Sequence, residues 1–222
     1  MTEFILTVIS CLIAIGGIVY CGLGLFTEKQ PFYFRILFLA AGCYALGQVF
    51  ALSSLYCGGF SDATLFSTGM LCYLGCACFM LCANRGALSK VVYEHKSPGA
   101  AYGSLIAPGV YMALVLILCI GLLPKDAPAA VTMFVFLTPG AFCCYLNLRH
   151  LLSPGDALEL LRGIRGCDIF SLLYGLLLVI ALLLKTNMPT GALLPMLLQV
   201  AVSLAMLGLC ISAVKGAKQW GI

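Results

Sequence analysis

Seven stretches of nearly uncharged, mainly apolar sequence follow one another along this chain, each close to the roughly 20 residues that a helix needs to cross a bilayer. They cover residues 4–26, 32–56, 63–83, 102–123, 129–148, 166–184 and 190–214. The apolar character is continuous, without the alternation of a membrane β-strand, so a barrel is excluded. Pro31, Pro98, Pro128, Pro154 and Pro189 fall in or beside the separators, where a missing amide donor costs little. The expected fold is all-α: a polytopic membrane protein built as one integral domain, a seven-transmembrane-helix bundle over residues 1–222. Composition agrees, since 63% of the 222 residues are hydrophobic and 9% charged, far from the balance of a soluble domain. Seven crossings are expected to use nearly all of these residues, without a separate soluble catalytic domain among them.

Lysine and arginine fix the expected orientation. Lys29, Arg35, Arg85, Lys90, Lys96, Arg149, Arg162, Arg165, Lys215 and Lys218 fall on one side, against Lys125 and Lys185 on the other. The excess marks the cytoplasmic face, which puts the N-terminus outside and the C-terminus inside. The opening residues MTEF carry no basic group, unlike the start of a cleaved signal peptide, so the first run is expected to stay in the mature protein. The net charge of +4 follows from this topology, and a nucleic-acid partner is not implied. Residues 153–166 (SPGDALELLRGIRG) read as a short amphipathic helix on the inner membrane surface, with Arg162 and Arg165 near lipid phosphates.

Thirteen cysteines would suggest a disulfide scaffold in a secreted chain, but nearly all of these fall inside runs or at the reducing face. Only Cys57 and Cys119 lie close enough to the outer face to form a bridge. The cluster CYLGCACFMLC puts Cys72 and Cys76 on one helix face and Cys78 and Cys82 on another. A single straight helix cannot wrap four such thiolates around one ion, so no metal site is expected and cysteine acts as a small packing residue. No cofactor is implied.

The middle of every run lacks Asp, Glu, Lys, Arg and His, the usual carriers of proton relays, voltage sensing and retinal linkage. Neutral polar groups take their place. Tyr44 and Gln48 lie one turn apart in the second run, and Pro195, Gln199 and Ser203 form a face of the seventh. With Thr68, Tyr111 and Thr138 they form the expected ligand site, a pocket open to the outside for a small neutral or zwitterionic molecule; the competing reading is hydrogen bonding from helix to helix. Pro108, Pro139 and Pro195 mark expected breaks, and Thr138-Pro139-Gly140 could bend its helix or free a carbonyl. Ala41 with Ala45 and Gly103 with Ala107 have the spacing of close helix packing.

A second set, Arg35, Asn84, Arg85, Asn147, Arg149, Arg165 and Asp168, falls within about a turn of the inner boundary and suits an anionic headgroup or phosphate, with Asp168 holding an arginine. The topology rule alone would also put arginines there. No catalytic residue is assigned: HExxH, GxSxG and P-loop patterns are absent, and Asp168, Glu94, His95 and His150 have no spacing that implies a shared site. The expected role is a non-enzymatic transporter or membrane sensor in the plasma (inner) membrane, in contact with the lipid bilayer, a small-molecule ligand and a cytoplasmic or membrane protein partner. The alternatives are a lipid-modifying enzyme with its site at the cytoplasmic mouth and an accessory subunit of a larger membrane complex.

Overall fold

The computed structural model describes residues 2–26, 31–57, 68–91, 98–152, 163–189 and 192–220. Among them the chain forms eight helical segments: α1 (Thr2–Leu25), α2 (Phe32–Cys57), α3 (Thr68–Val91), the short α4 (Pro98–Gly103), α5 (Ile106–Leu122), α6 (Ala127–Leu152), α7 (Arg165–Asn187) and α8 (Leu193–Trp220). Five of these, α1, α2, α6, α7 and α8, are long and apolar enough to cross a membrane, which makes this a helical, multi-pass membrane protein. The 153–166 amphipathic helix lies largely outside the described residues.

Local chemistry sets the helix ends. Asp126 accepts the Ala129 amide at 3.0 Å and caps α6, so Pro128 falls in the first turn, where its absent N–H has no partner to lose. Met188, which closes α7, is extended at φ −98° and ψ 156°, the conformation that the following Pro189 demands. Pro108 cannot donate to the carbonyl four residues back, and the helix breaks there: Ser104 and Leu105 form the turn that separates α4 from α5. Pro195 breaks nothing, because α8 starts at Leu193 and the proline occupies its first turn. Pro139 lies within α6, which continues through it to Leu152.

The packing partners form a ring in the order α1, α2, α3, α6, α5, α7, α8 and back to α1, with α6 against α7 and α2 against α8 across it. Its outside is apolar: Leu12 and Leu23 of α1, Leu46 of α2, Ile120 of α5, Phe142 of α6, Ile169 of α7 and Leu204 of α8 are all exposed. A water-soluble surface would not carry so much contiguous apolar area. Its inside is built from small and polar side chains. Ala14, Ala40, Ala41, Ala45, Ala205, Ala213 and Ala217 are buried, as are Gln48, Asn84, Asn147, His150, Asp168 and Ser203. With no hydrophobic drive between helices in lipid, small residues that allow close approach and polar groups that bond across helices are what holds such a bundle together.

Candidate functional site

Two polar layers and the cavity between them make up the interior. The first layer joins α2, α3 and α8. The Tyr44 hydroxyl lies 2.7 Å from Ser203 Oγ, and Ser203 donates to the Gln199 carbonyl at 3.3 Å. Both glutamines converge on Tyr73 of α3: the Gln48 amide donates to its hydroxyl at 3.0 Å and the Gln199 amide at 3.4 Å. Tyr44, Gln48, Gln199 and Ser203 of the expected ligand set are therefore brought together, but they bond from helix to helix. Tyr73 is the hub that the sequence reading missed; it lies within the cysteine cluster, which drew attention to thiols instead. Tyr44 also packs edge-on against Tyr174 of α7, with ring centroids 5.5 Å apart.

Three members of the expected set lie elsewhere. The Thr68 side chain is outside the described ones. Thr138 donates back to the Phe134 carbonyl on its own helix at 2.7 Å. Tyr111 of α5 is buried and donates to the Leu137 carbonyl of α6 at 3.1 Å. That approach needs Gly140, because any Cβ at that position would overlap the Tyr111 hydroxyl. The glycine of Thr138-Pro139-Gly140 thus admits a tyrosine from the neighbouring helix.

Between α3, α5, α6 and α7 lies a cavity of about 30 Å³. Tyr73 and Met80 of α3, Tyr111 of α5, Gly140 of α6 and Ser171, Tyr174 and Gly175 of α7 are in its lining. Among the described residues no charged side chain lines it. A volume of that size holds two or three waters, by the rule of about 10–15 Å³ per water.

The second layer joins α3, α6 and α7. Asn84 donates to Asn147 Oδ1 at 2.5 Å, Asn147 donates to Ser171 Oγ at 2.8 Å, and Ser171 contacts Met80 Sδ at 3.5 Å. One turn along, His150 Nδ1 and Asp168 Oδ1 are 2.9 Å apart, with side chains 0% and 1% exposed. Asn147 and His150 are three residues apart on α6, and Asp168 and Ser171 three apart on α7. The two antiparallel helices therefore meet in two polar rungs of the same register.

This changes the reading of the inner residues. Asn84, Asn147 and Asp168 are buried inside the bundle, whereas Arg35 and Arg85 are exposed. Arg149 reaches the Tyr145 hydroxyl on its own helix at 3.2 Å and stacks over that ring. Arg165 is half-buried on α7, near enough to Asp168 to act on it electrostatically. His150 is corrected outright: run length placed it in a connection with no partner, but α6 continues to Leu152 and carries it into the core against Asp168. The matching three-residue spacings were the available signal.

Among the described residues no group of three or more His, Cys, Asp or Glu side chains could hold a metal ion. In the cysteine cluster Cys76 is buried while Cys78 and Cys82 are exposed, so the thiols face apart. The Cys57 side chain lies outside the described ones; Cys119 is a free thiol. Compared with known proteins, the chain matches no family model, no curated protein and no solved structure.

Proposed function

We propose that this chain is a seven-span protein of the plasma membrane, N-terminus outside and C-terminus in the cytoplasm, that binds a small neutral ligand without chemically changing it, as a transporter or membrane sensor. The cavity among α3, α5, α6 and α7 carries the reading. Its lining is mostly apolar, with the hydroxyls of Tyr73, Tyr111, Tyr174 and Ser171 as the groups that would orient a guest, and among the described residues it offers no counter-charge to an ion. A bare charge there would be costly, so the ligand is neutral; the missing counter-charges disfavour the zwitterionic version. At about 30 Å³ the space takes a molecule larger than a few waters only if the helices part, which suits a protein that changes shape on binding.

The seven-span count adds α3 and the α4–α5 pair to the five long apolar helices. The orientation rests on the lysine and arginine count. Arg35 and Arg85, exposed at the ends of α2 and α3 assigned to the cytoplasm, would meet lipid phosphates there. Thermal unfolding of the purified protein in lipid nanodiscs, against a panel of small neutral alcohols, amides and phenols, tests the proposal. It predicts a class of compounds that raises the midpoint in proportion to log concentration, as mass action requires, and a panel without effect would contradict it.

A further inference from the structure

The absence of acids from the middle of every apolar run argues, at the level of sequence, against proton chemistry. The inner polar layer reopens that question. Among the described residues, four buried polar atoms there have no hydrogen-bond partner: His150 Nε2, Asp168 Oδ2, Arg165 Nε and the Tyr33 hydroxyl. They belong to one neighbourhood. His150 and Asp168 are directly bonded, Arg165 of α7 acts electrostatically on Asp168, and Asp168 acts in turn on Tyr33 of α2. Leaving a buried polar atom unpaired is costly, so such a cluster is not packing filler.

Its chemistry is specific. An ionised carboxylate only accepts hydrogen bonds, so next to an ionised Asp168 the neutral His150 ring must carry its proton on Nδ1 and donate it to Oδ1. That leaves Nε2 as a bare lone pair, with Asp168 Oδ2 as a second acceptor, each able to take one proton. Asp168 stands in the first turn of α7, where amide groups carry partial positive charge. His150 stands in the last turn of α6, where carbonyls carry partial negative charge.

We infer that the His150–Asp168 pair is a proton-binding site within the bundle. A proton from water at that end adds to the pair and takes it from one net negative charge to none, and the same proton leaves when the step reverses. The titration belongs to the pair as a unit. Among the described residues, Arg165 of α7 acts on Asp168, and Asp168 acts on its neighbour Cys167 and on Tyr33 of α2. Of the other elements packed on α6 and α7, α3 contributes Asn84 one rung away and keeps Arg85 exposed, and Tyr102 of α4 is exposed. On α5, Tyr111 is bonded to α6, and on α8, Lys215 and Lys218 are exposed. The adjacent rung carries Ser171, which also lines the cavity, so the proton site is one turn from the proposed ligand. The proton site does not depend on that ligand.

The chain contains only two histidines, His95 and His150, which makes the test direct. In His95→Gln labelled with 15N-histidine, in lipid nanodiscs without added ligand, one imidazole remains to report tautomer and protonation by NMR. The expected result is a ring protonated on Nδ1 alone at alkaline pH that gains a second proton in a single step on acidification. In the Asp168→Asn background that step moves, because the ring has lost its carboxylate partner. A ring whose signals stay constant over the whole range, or a step unmoved by Asp168→Asn, would overturn the proposal. Asp168→Asn retains volume, and if it does not fold, the titration of His95→Gln alone still decides.

Discussion

At the scale of single residues, the interior is organised by which side chains can reach a neighbouring helix. Tyr73 serves two glutamines, Asn147 serves an asparagine and a serine, and Tyr111 reaches backbone because Gly140 leaves room for it. Gly140→Ala should therefore lower the unfolding midpoint in detergent, by the equivalent of about 1–3 kcal/mol for an overpacked contact. Adding Tyr111→Phe, which removes the overlapping hydroxyl, should recover part of the loss. Equal midpoints for wild type and Gly140→Ala would show that this contact is loose. The sequence exposed the polar residues themselves, since Gln48, Asn84, Asn147 and Ser203 stand out among apolar neighbours. It did not show their partners: Tyr73 and Tyr111 are ordinary aromatic residues in sequence, and what distinguishes them is a hydroxyl aimed at another helix.

At the scale of elements, α6 and α7 are joined by two rungs and α2 and α8 by one. The difference can be measured. Tyr44→Phe removes one hydroxyl contact while Ser203 keeps its bond to the Gln199 carbonyl, so it should cost about 0.6 kcal/mol, the average for a polar pair between membrane helices. Asn147→Ala strands Asn84 in a buried layer and leaves Ser171 only its contact with Met80, and should cost about 1–3 kcal/mol. Reversible unfolding in mixed micelles compares the two, and a larger loss from Tyr44→Phe would contradict this ranking. Helix existence was legible from run length alone, because in lipid a continuous apolar run has little choice but to bond its own backbone. Helix ends were less legible. Run length counts apolar residues, so it ended the third and fifth runs at Ala83 and Leu148, whereas α3 continues to Val91 and α6 to Leu152, carrying His150 into the core. Pro108 and Pro195 look alike in sequence, yet the helix breaks a turn before Pro108, while Pro195 falls within the first turn of α8.

At the scale of the whole molecule, the ring of helices turns apolar side chains outward and encloses two polar layers with a cavity between them. The proposed seven spans would put the termini on opposite sides of the membrane, so reporters fused to each end should give opposite topology signals, with the C-terminal one cytoplasmic. Matching signals would remove the seven-span reading. The claim on which the functional account rests is that the ligand occupies the cavity beside Gly175. A Cβ there would lie 3.7 Å from both Cys144 Sγ and Tyr111 Cε2, ordinary contact distance, so Gly175→Ala fills space without a clash. Replacing a mid-helix glycine should also stabilise the unliganded protein by up to about 1 kcal/mol. The deciding measurement is the ligand-induced shift in unfolding midpoint, for an active compound from the neutral panel, in wild type and Gly175→Ala side by side. The account predicts a variant at least as stable as wild type that has lost most of the shift; an undiminished shift in Gly175→Ala would place the ligand elsewhere.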